Sequence, residues 1–590
     1  MASKGPGGEI VARMLAAEGV EKVFGIVDGT YFGLYSRLPE HGIDLISPRH
    51  ETSAAHMAGT YARLTGRLGV CIASNGPGVA NILPGVAVEN GEGNRVLLIT
   101  SSRRAGISYP DRGGTFQYFD QVGVSGPMTK WSGHAPTRDR VPELLRRALR
   151  ESWSGRPGVV HLDIGEDVLN GDGPIDETQI RPPHRYRRTT NLSPDPRVIE
   201  EAAGLLADAA QPLIHAGYGV YHAGAEEELR RLAEQLEAPV TTSWAARGAV
   251  PETSPHAIPM TAVDLVDRVR NDADVVLTVG SRIGETDWWG KPPNWASPDH
   301  QKHIQVDVDD AAMGRNKPTD VAVLADAKLA LGQLLDALDG RQNDQLLSSR
   351  RSRLEEYSAS RREERRKLDR ALEDDREPLH PARVPATAQE VLPDDTVWVF
   401  DGGNTTVWAN FFHEARTPRS IVSTFKFGML GAGVSQALGA RVAAPDRTVC
   451  CIIGDGAFGM HPQEVETAVR HDLPVIYLVL ADRAWGMVKM SQQIAAKPLK
   501  TVAKKLLFDQ GLREDETIYT DFHEIEYDAL ARAMGAHGDR VSRPADLAPA
   551  LERAHGSGRP AVIHVDVDRN QHLWAPALRT FKKMHQEPGG

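Results

Sequence analysis

The residues best equipped for chemistry sit on two short acidic turns. Residues 449–459 read Val-Cys-Cys-Ile-Ile-Gly-Asp-Gly-Ala-Phe-Gly, which puts Asp455 on a tight turn directly after an apolar run. Asp482 follows 27 positions later, within Ala-Asp-Arg-Ala-Trp-Gly-Met at 481–487. A helix over 461–470 and a strand over 475–480 fill the interval, so one strand–helix–strand unit brings both acids to the same sheet edge. Ligands of open parallel sheets gather there, beyond the carboxyl ends of the strands. Two carboxylates and a backbone carbonyl suit Mg²⁺, whose octahedron is completed by phosphate oxygens and water. The glycines on either side of Asp455 let a large anion approach the backbone. A second glycine-rich stretch, Ser-Asn-Gly-Pro-Gly-Val-Ala-Asn at 74–81, imitates a phosphate loop. It lacks the lysine of a nucleotide P-loop and the third glycine of a dinucleotide fingerprint.

The elements needed to position these turns are legible as repeated strand–turn–helix units, which predict parallel sheets with helices on both faces. A helix over 9–18 carries Ile10, Val11, Met14 and Leu15 on one stripe and stops at Gly19. Strand-like runs follow at 22–27, 69–73, 96–100 and 158–164, then a polar, Pro- and Arg-rich connection at 180–194. A second block has strands at 212–216, 239–242, 275–279 and 303–308. The third has them at 396–400, 449–453, 475–480 and 561–566. Between these two blocks, residues 342–378 alternate arginine with acid, which predicts a solvated helical linker and not a nucleic-acid patch. The expected fold class is α/β, with three successive α/β domains around central parallel sheets at 1–180, 195–340 and 381–570. A charged helical linker is expected at 341–380 and a C-terminal tail at 571–590.

Composition narrows the function classes. At 590 residues the chain is too long for one core. A formal charge of −11 argues against nucleic acid or an anionic membrane as the main partner. Three cysteines are too few for a disulfide framework, and the adjacent Cys450 and Cys451 read as small buried apolar groups. With no signal-peptide core and no apolar run of membrane-spanning length, a cytoplasmic protein is expected.

Four segments, in order, resemble the motifs of the thiamine-diphosphate (ThDP) enzymes of the acetolactate synthase-like (pyruvate oxidase/decarboxylase) family. They are Arg49-His-Glu51, Phe-Asp-Gly-Gly-Asn-Thr at 400–405, Lys-Phe-Gly-Met-Leu-Gly-Ala-Gly at 426–433, and Gly454-Asp-Gly456 with Asp482. The resemblance covers nearly the whole chain and implies a pyrimidine-binding, a middle and a diphosphate-binding domain. It implies Asp455, Asp482 and the carbonyl of Ala484 as Mg²⁺ ligands, with Gly454, Gly456, Ala457, Gly486 and Met487 around the diphosphate. Gly403, Asn404 and Thr405 would form a second diphosphate loop. Leu430 would wedge the cofactor into its bent shape, and the carbonyl of Gly428 would accept from its 4′-amino group. Glu51 is implied as the activating carboxylate. ThDP must lose a weakly acidic C2 proton to its own 4′-imino group, and a carboxylate bonded to N1′ favours that tautomer. The family also implies a homodimer or dimer of dimers with active sites between chains. One departure stands out: Ala481-Asp482 replaces the family's Asn-Asn.

Phe116 and Gln117 lie in a stretch similar to the one that reaches the active site of acetolactate synthases, which implies Gln117 as catalytic and Phe116 as substrate-side. Asp28-Gly29 stands where those enzymes have Gly-Gly, and Ser491 where they have a pocket tryptophan, so all three are substrate-side candidates. The run Gly-Ser-Arg-Ile-Gly-Glu-Thr-Asp at 280–287 lacks the Arg-Phe-Asp-Asp-Arg of flavin-binding relatives, so FAD in the middle domain is possible but unsupported, and ADP or CoA there stands as an open alternative. Ser-Ser-Arg-Arg at 101–104 lacks the paired histidine of simple pyruvate decarboxylases. The expected function is a ThDP- and Mg²⁺-dependent C–C lyase or carboligase acting on a 2-oxo acid or related carbonyl donor through an ylid and enamine. The alternative is a 2-hydroxyacyl-CoA lyase or oxalyl-CoA decarboxylase-like enzyme, whose middle domains 243–248 and 314–318 resemble. A non-catalytic cofactor-binding protein is the third class, and the joint presence of Glu51, Asp455 and Asp482 counts against it. Expected partners are small carbonyl substrates, with neither nucleic acid nor membrane.

Overall fold

The computed structural model describes residues 3–108, 112–341, 343–508 and 516–577. Residue 342 of the expected linker and residues 578–590 of the expected tail therefore lie outside the described residues.

Three six-stranded, all-parallel sheets follow one another along the chain. The first contains β1 (Lys22–Gly25), β2 (Asp44–Ile46), β3 (Gly69–Ala73), β4 (Val96–Ser102), β5 (Trp131–Ala135) and β6 (Val159–Gly165), in the order β2-β1-β3-β4-β6-β5. The middle sheet has β7 (Pro212–Ala216), β8 (Val240–Thr242), β9 (Ala257–Ile258), β10 (Val275–Val279), β11 (Lys302–Asp307) and β12 (Val321–Leu324), ordered β9-β8-β7-β10-β11-β12. The third has β13 (Val397–Asp401), β14 (Ile421–Val422), β15 (Val449–Gly454), β16 (Ile476–Ala481), β17 (His537–Val541) and β18 (Ala561–Asp566), ordered β14-β13-β15-β16-β18-β17. The first and third sheets thus repeat one winding. Helices cover both faces, so strands such as β4 and β6 are buried at every position and read as unbroken apolar runs. The chain is α/β throughout, as expected.

The helices that matter for the site are α1 (Glu51–Thr65), α2 (Pro77–Glu92), α3 (Asp344–Asp369), α4 (Gly403–Phe412), α5 (Ala432–Ala443) and α6 (Gly486–Ala496). Small residues let α1 and α5 touch: a Cβ on Gly439 would lie 2.8 Å from the Met57 Cα. One apolar core therefore runs from the first domain into the third. Backbone donors reinforce it, with Arg49 N–H bonded to the Glu464 carboxylate at 3.1 Å and Ser47 N–H to His471 Nε2 at 3.1 Å.

Two expectations about helices change. The opening helix spans Gly7–Ala17, two residues earlier than its apolar stripe suggests. Its first glycines are packed against backbone, since a Cβ on Gly8 would fall 2.3 Å from Gly33. The charged linker is α3, solvated on its outer face but docked along the other, where Arg350, Leu354, Tyr357 and Ser358 are buried. The Arg350 guanidinium donates to the carbonyls of Leu206 (3.1 Å), Ala209 (3.1 Å) and Leu236 (3.2 Å), capping the ends of two middle-domain helices. Alternating charge hid that stripe. Among the described residues no helix is long and apolar enough to cross a membrane.

A buried ion pair bolts the middle domain to the third. Arg247 binds Glu252 through two 2.7 Å bonds and also donates to the carbonyls of Asn410 and His413 at 2.9 Å. Glu252 in turn accepts from Ala415 N–H at 2.8 Å. Both side chains are almost fully buried, so removing one leaves the other charge uncompensated. Arg247→Ala should destabilise the protein by about 3–5 kcal/mol, read as a lower urea midpoint. An unchanged midpoint would mean the pair carries no net stability.

Candidate active site

Four strand ends of the third sheet meet in one cradle. The loop from β13 carries Gly402, Gly403, Asn404 and Thr405 into α4, and the β15 loop carries Gly454–Ala457. These two loops leave neighbouring strands in opposite directions, which is the switch point where open α/β sheets bind ligands. The chain after β14 supplies Gly428 and Leu430, and the turn after β16 supplies Asp482, Ala484, Gly486 and Met487.

Asp455 and Asp482 are both buried, and their carboxylates face each other. Asp455 Oδ1 accepts from Gly456 N–H at 2.8 Å and its Oδ2 from Arg483 N–H at 2.7 Å. Asp482 Oδ1 accepts from Ala484 N–H at 3.1 Å, while Oδ2 has no hydrogen-bond partner among the described residues. Arg483 sits between them at φ 55°, a left-handed conformation that folds the turn back onto Asp455. Burial and the facing charge of Asp482 raise the Asp455 carboxyl far above its usual range. Burial also pushes Asp482 up to about 6.

The space beside these acids is kept clear by missing side chains. A Cβ on Gly486 would lie 2.8 Å from Asp482 Oδ2 and 3.1 Å from Asn404 Nδ2, and one on Gly403 would lie 3.1 Å from the Met487 Cβ. Gly454 packs against the Thr405 hydroxyl, and Gly456 against the ring of Trp485. Asn404 is only 3% exposed, yet neither atom of its amide is hydrogen-bonded. A buried amide and a buried carboxylate oxygen left unpaired around glycine-lined space fit a metal–diphosphate group, because such groups otherwise remain costly. Leu430 packs against the shared core, Ala457 is buried, and Gly428 stands at φ 68° with its N–H on the Thr424 carbonyl at 2.8 Å. Ser491 is half-buried on α6, on the same strand-end side.

The other candidates gather at the equivalent edge of the first sheet. Glu51 opens α1, and its Oε2 accepts from Asn81 Nδ2 at 3.1 Å, so a side-chain amide on α2 holds it. Asp28 caps the turn that contains Gly29, accepting from Thr30 N–H at 2.9 Å, and Thr30 in turn meets Ser101 at 2.6 Å. Phe116 and Gln117 are exposed, and Gln117 stands at φ 55° with its carbonyl accepting from Asn75 Nδ2 at 3.1 Å. Among the described residues no hydrogen bond or ion pair joins Glu51, Asp28 or Gln117 to the Asp455 cradle of the same chain.

Several supporting residues escaped the sequence reading. Gln121 bridges the Gly76 N–H (2.9 Å), the Ser101 carbonyl (2.9 Å) and Asp163 (2.8 Å), which holds the loop under Gln117. Lys489 is buried on α6 and paired with Asp521 at 2.6 Å, and Arg569 joins the same carboxylate. His572 comes from the segment expected to be a tail, and its Nε2 lies 3.4 Å from the Thr405 hydroxyl and 4.0 Å from Asp482. Burial lowers that imidazole to about 3, so it is neutral. No local motif marks any of these positions. In the middle domain, the switch-point crevice between β7 and β10 is narrowed by backbone, since a Cβ on Gly217 would fall 2.2 Å from the Gly280 carbonyl oxygen.

Fold and cradle together define a ThDP-binding enzyme, and the comparisons agree. Residues 6–124, 199–334 and 401–565 match the N-terminal TPP binding domain, central domain and C-terminal TPP binding domain of thiamine pyrophosphate enzymes. The chain is 30% identical over 576 residues to a probable acetolactate synthase large subunit of Methanocaldococcus jannaschii, covering 95% of this chain and 92% of that one. It is 28% identical over 593 residues to the acetolactate synthase isozyme 3 large subunit of Escherichia coli, covering 97% and 96%. It is also 30% identical over 575 residues to a sulfoacetaldehyde acetyltransferase of Castellaniella defragrans, covering 92% and 90%. The chain belongs to the acetolactate synthase-like family of thiamine pyrophosphate enzymes. It is a lyase or transferase that uses ThDP and Mg²⁺ to make or break a carbon–carbon bond.

The buried Oδ2 of Asp482, which no hydrogen bond satisfies, is a candidate metal ligand. Asp482→Ala should abolish tight ThDP retention in the presence of Mg²⁺, and Asp482→Asn should keep it. Calorimetry giving the parent affinity in the alanine variant would remove Asp482 from the ligand set.

Proposed function

We propose that the protein is a 2-oxo-acid-dependent carboligase or lyase whose active site forms between two copies of the chain. The observation that carries this reading is the pair of half-sites, a carboxylate–amide cradle on the third sheet and the Glu51 edge on the first. What supports a second copy is the exposure of apolar side chains in the segments that carry both half-sites. Val27, Phe32, Phe116 and Val124 are exposed in the segments of Asp28 and Gln117, and Val488, Leu499, Leu506, Ile518 and Tyr519 in the chain that follows Met487. Exposed apolar groups in such number favour an interface. In the homodimer, or dimer of dimers, Glu51 of one chain faces Asp455 of the other.

Bound ThDP supplies an electron sink for a carbanion next to a carbonyl. Asp455, Asp482 and the Ala484 carbonyl hold Mg²⁺, and Gly403, Asn404, Thr405, Gly454, Gly456, Ala457, Gly486 and Met487 surround the diphosphate. Leu430 and the Gly428 carbonyl support the rings. Glu51 holds the proton shared with the aminopyrimidine N1′, and Asn81 fixes the orientation of its carboxylate. Gln117, Phe116, Asp28 and Gly29 face the substrate. Ser491 stands where acetolactate synthases have a tryptophan, and its smaller side chain favours acceptors bulkier than 2-oxobutyrate.

The reading is tested by supplying ThDP, Mg²⁺ and a panel of 2-oxo acids, with and without aldehydes, and following CO₂ and products. Turnover of none of these donors, against turnover of a 2-hydroxyacyl-CoA, would replace this reading with the CoA-lyase one. Glu51→Gln keeps size and hydrogen bonding but loses the acid–base group. C2–H/D exchange of bound ThDP should slow by roughly 10²–10⁴-fold, with ThDP affinity nearly unchanged. Exchange at the parent rate would make Glu51 a structural carboxylate.

A further inference from the structure

Asp401 ends β13 with its side chain turned inward, only 4% exposed. Among the described residues its carboxylate is hydrogen-bonded only by backbone N–H groups, from two separate loops. Oδ1 accepts from Gly402 N–H at 2.6 Å and Oδ2 from Gly433 N–H at 2.8 Å, and the N–H of Gly431 also points to it. Gly402 opens the loop that continues through Gly403, Asn404 and Thr405. Gly431 and Gly433 begin α5, directly behind Leu430. One anion therefore ties the diphosphate loop to the loop under the cofactor rings, and it lies at the favourable N-terminal end of α5.

The surrounding backbone is built for this contact. Gly402 stands at φ 108° and Gly431 at φ 87°, both conformations that side chains disfavour. A Cβ on Gly433 would lie 2.5 Å from the Asp401 Cβ. Burial raises the carboxyl to about 6, while the amides of Gly433, Gly402 and Gly431 and the charge of His56 on α1 draw it back down. His56 is itself held by Glu89 at 2.8 Å, so the first domain also bears on this contact.

We propose that Asp401 is a positioning residue whose carboxylate sets the spacing between the Gly402–Thr405 loop and Leu430, and so the geometry in which ThDP is held. The inference rests on the ThDP site proposed above. A merely structural carboxylate would affect folding alone, whereas a positioning one alters the bound cofactor in a protein that folds.

The test uses the full-length chain with ThDP and Mg²⁺. Asp401→Asn keeps the shape but turns one acceptor into a donor facing backbone N–H groups. The expected result is a folded apoprotein, ThDP affinity weakened by roughly 10–100-fold, as for loss of a charged hydrogen bond, and slower C2–H/D exchange at saturating ThDP. Gly433→Ala pushes Asp401 aside without changing its charge and should shift affinity and exchange in the same direction. If the asparagine variant does not fold, the alanine variant decides. Parent-like affinity and exchange in a folded variant would overturn the proposal, and so would failure of both variants to fold, which would make Asp401 purely structural. A parent protein that does not bind ThDP with Mg²⁺ would instead overturn the proposed function.

Discussion

Two carboxylates buried against each other are unfavourable unless something positive lies between them or a proton is shared. Asp455 and Asp482 are held in that state, and much of the third domain is arranged to tolerate it. The N–H groups of Gly456, Arg483 and Ala484 turn inward to satisfy three of the four oxygens, at the cost of a left-handed Arg483. Asp521 pairs with the nearby cations Lys489 and Arg569, whose charges also draw the Asp482 carboxyl down against its burial. The fourth oxygen is left over beside an unpaired buried amide, and that unmet bonding is what the proposed metal and its phosphates would satisfy.

The repeated winding of the first and third sheets places a second set of strand ends where Glu51, Asp28 and Gln117 stand. Contact between α1 and α5 brings these two domains together within one chain through glycine and alanine, with an apolar core flanked by the hydrogen bonds of Glu464 and His471. The middle domain is fixed separately, by the buried Arg247–Glu252 pair and by α3 lying along it. A rigid frame of this kind lets short loops hold their groups to within fractions of an ångström, which catalysis by positioning requires.

The carboxylates and glycines of the site were readable because each lies in a local pattern: a turn at a strand end, a glycine where a side chain would collide, a glutamate at a helix start. The same locality explains the errors. The burial of α3 was hidden because Arg350 sits in a charged stretch, and a buried arginine differs from a solvated one only by the carbonyls it meets, which come from positions more than a hundred residues away. Gly7 and Gly8 fell outside the helix expected at 9–18 because their need for glycine comes from Val168 and Gly33.

By itself the sequence determined the α/β class, the order of three parallel-sheet domains, and the acidic turns at 455 and 482, since hydrophobic runs and turn residues act over a few positions. Only the tertiary structure decided which groups close around those turns. His572, Gln121 and Asp401 acquire their places from strands and loops distant in the chain, and no short-range pattern records a hydrogen bond made across a sheet edge.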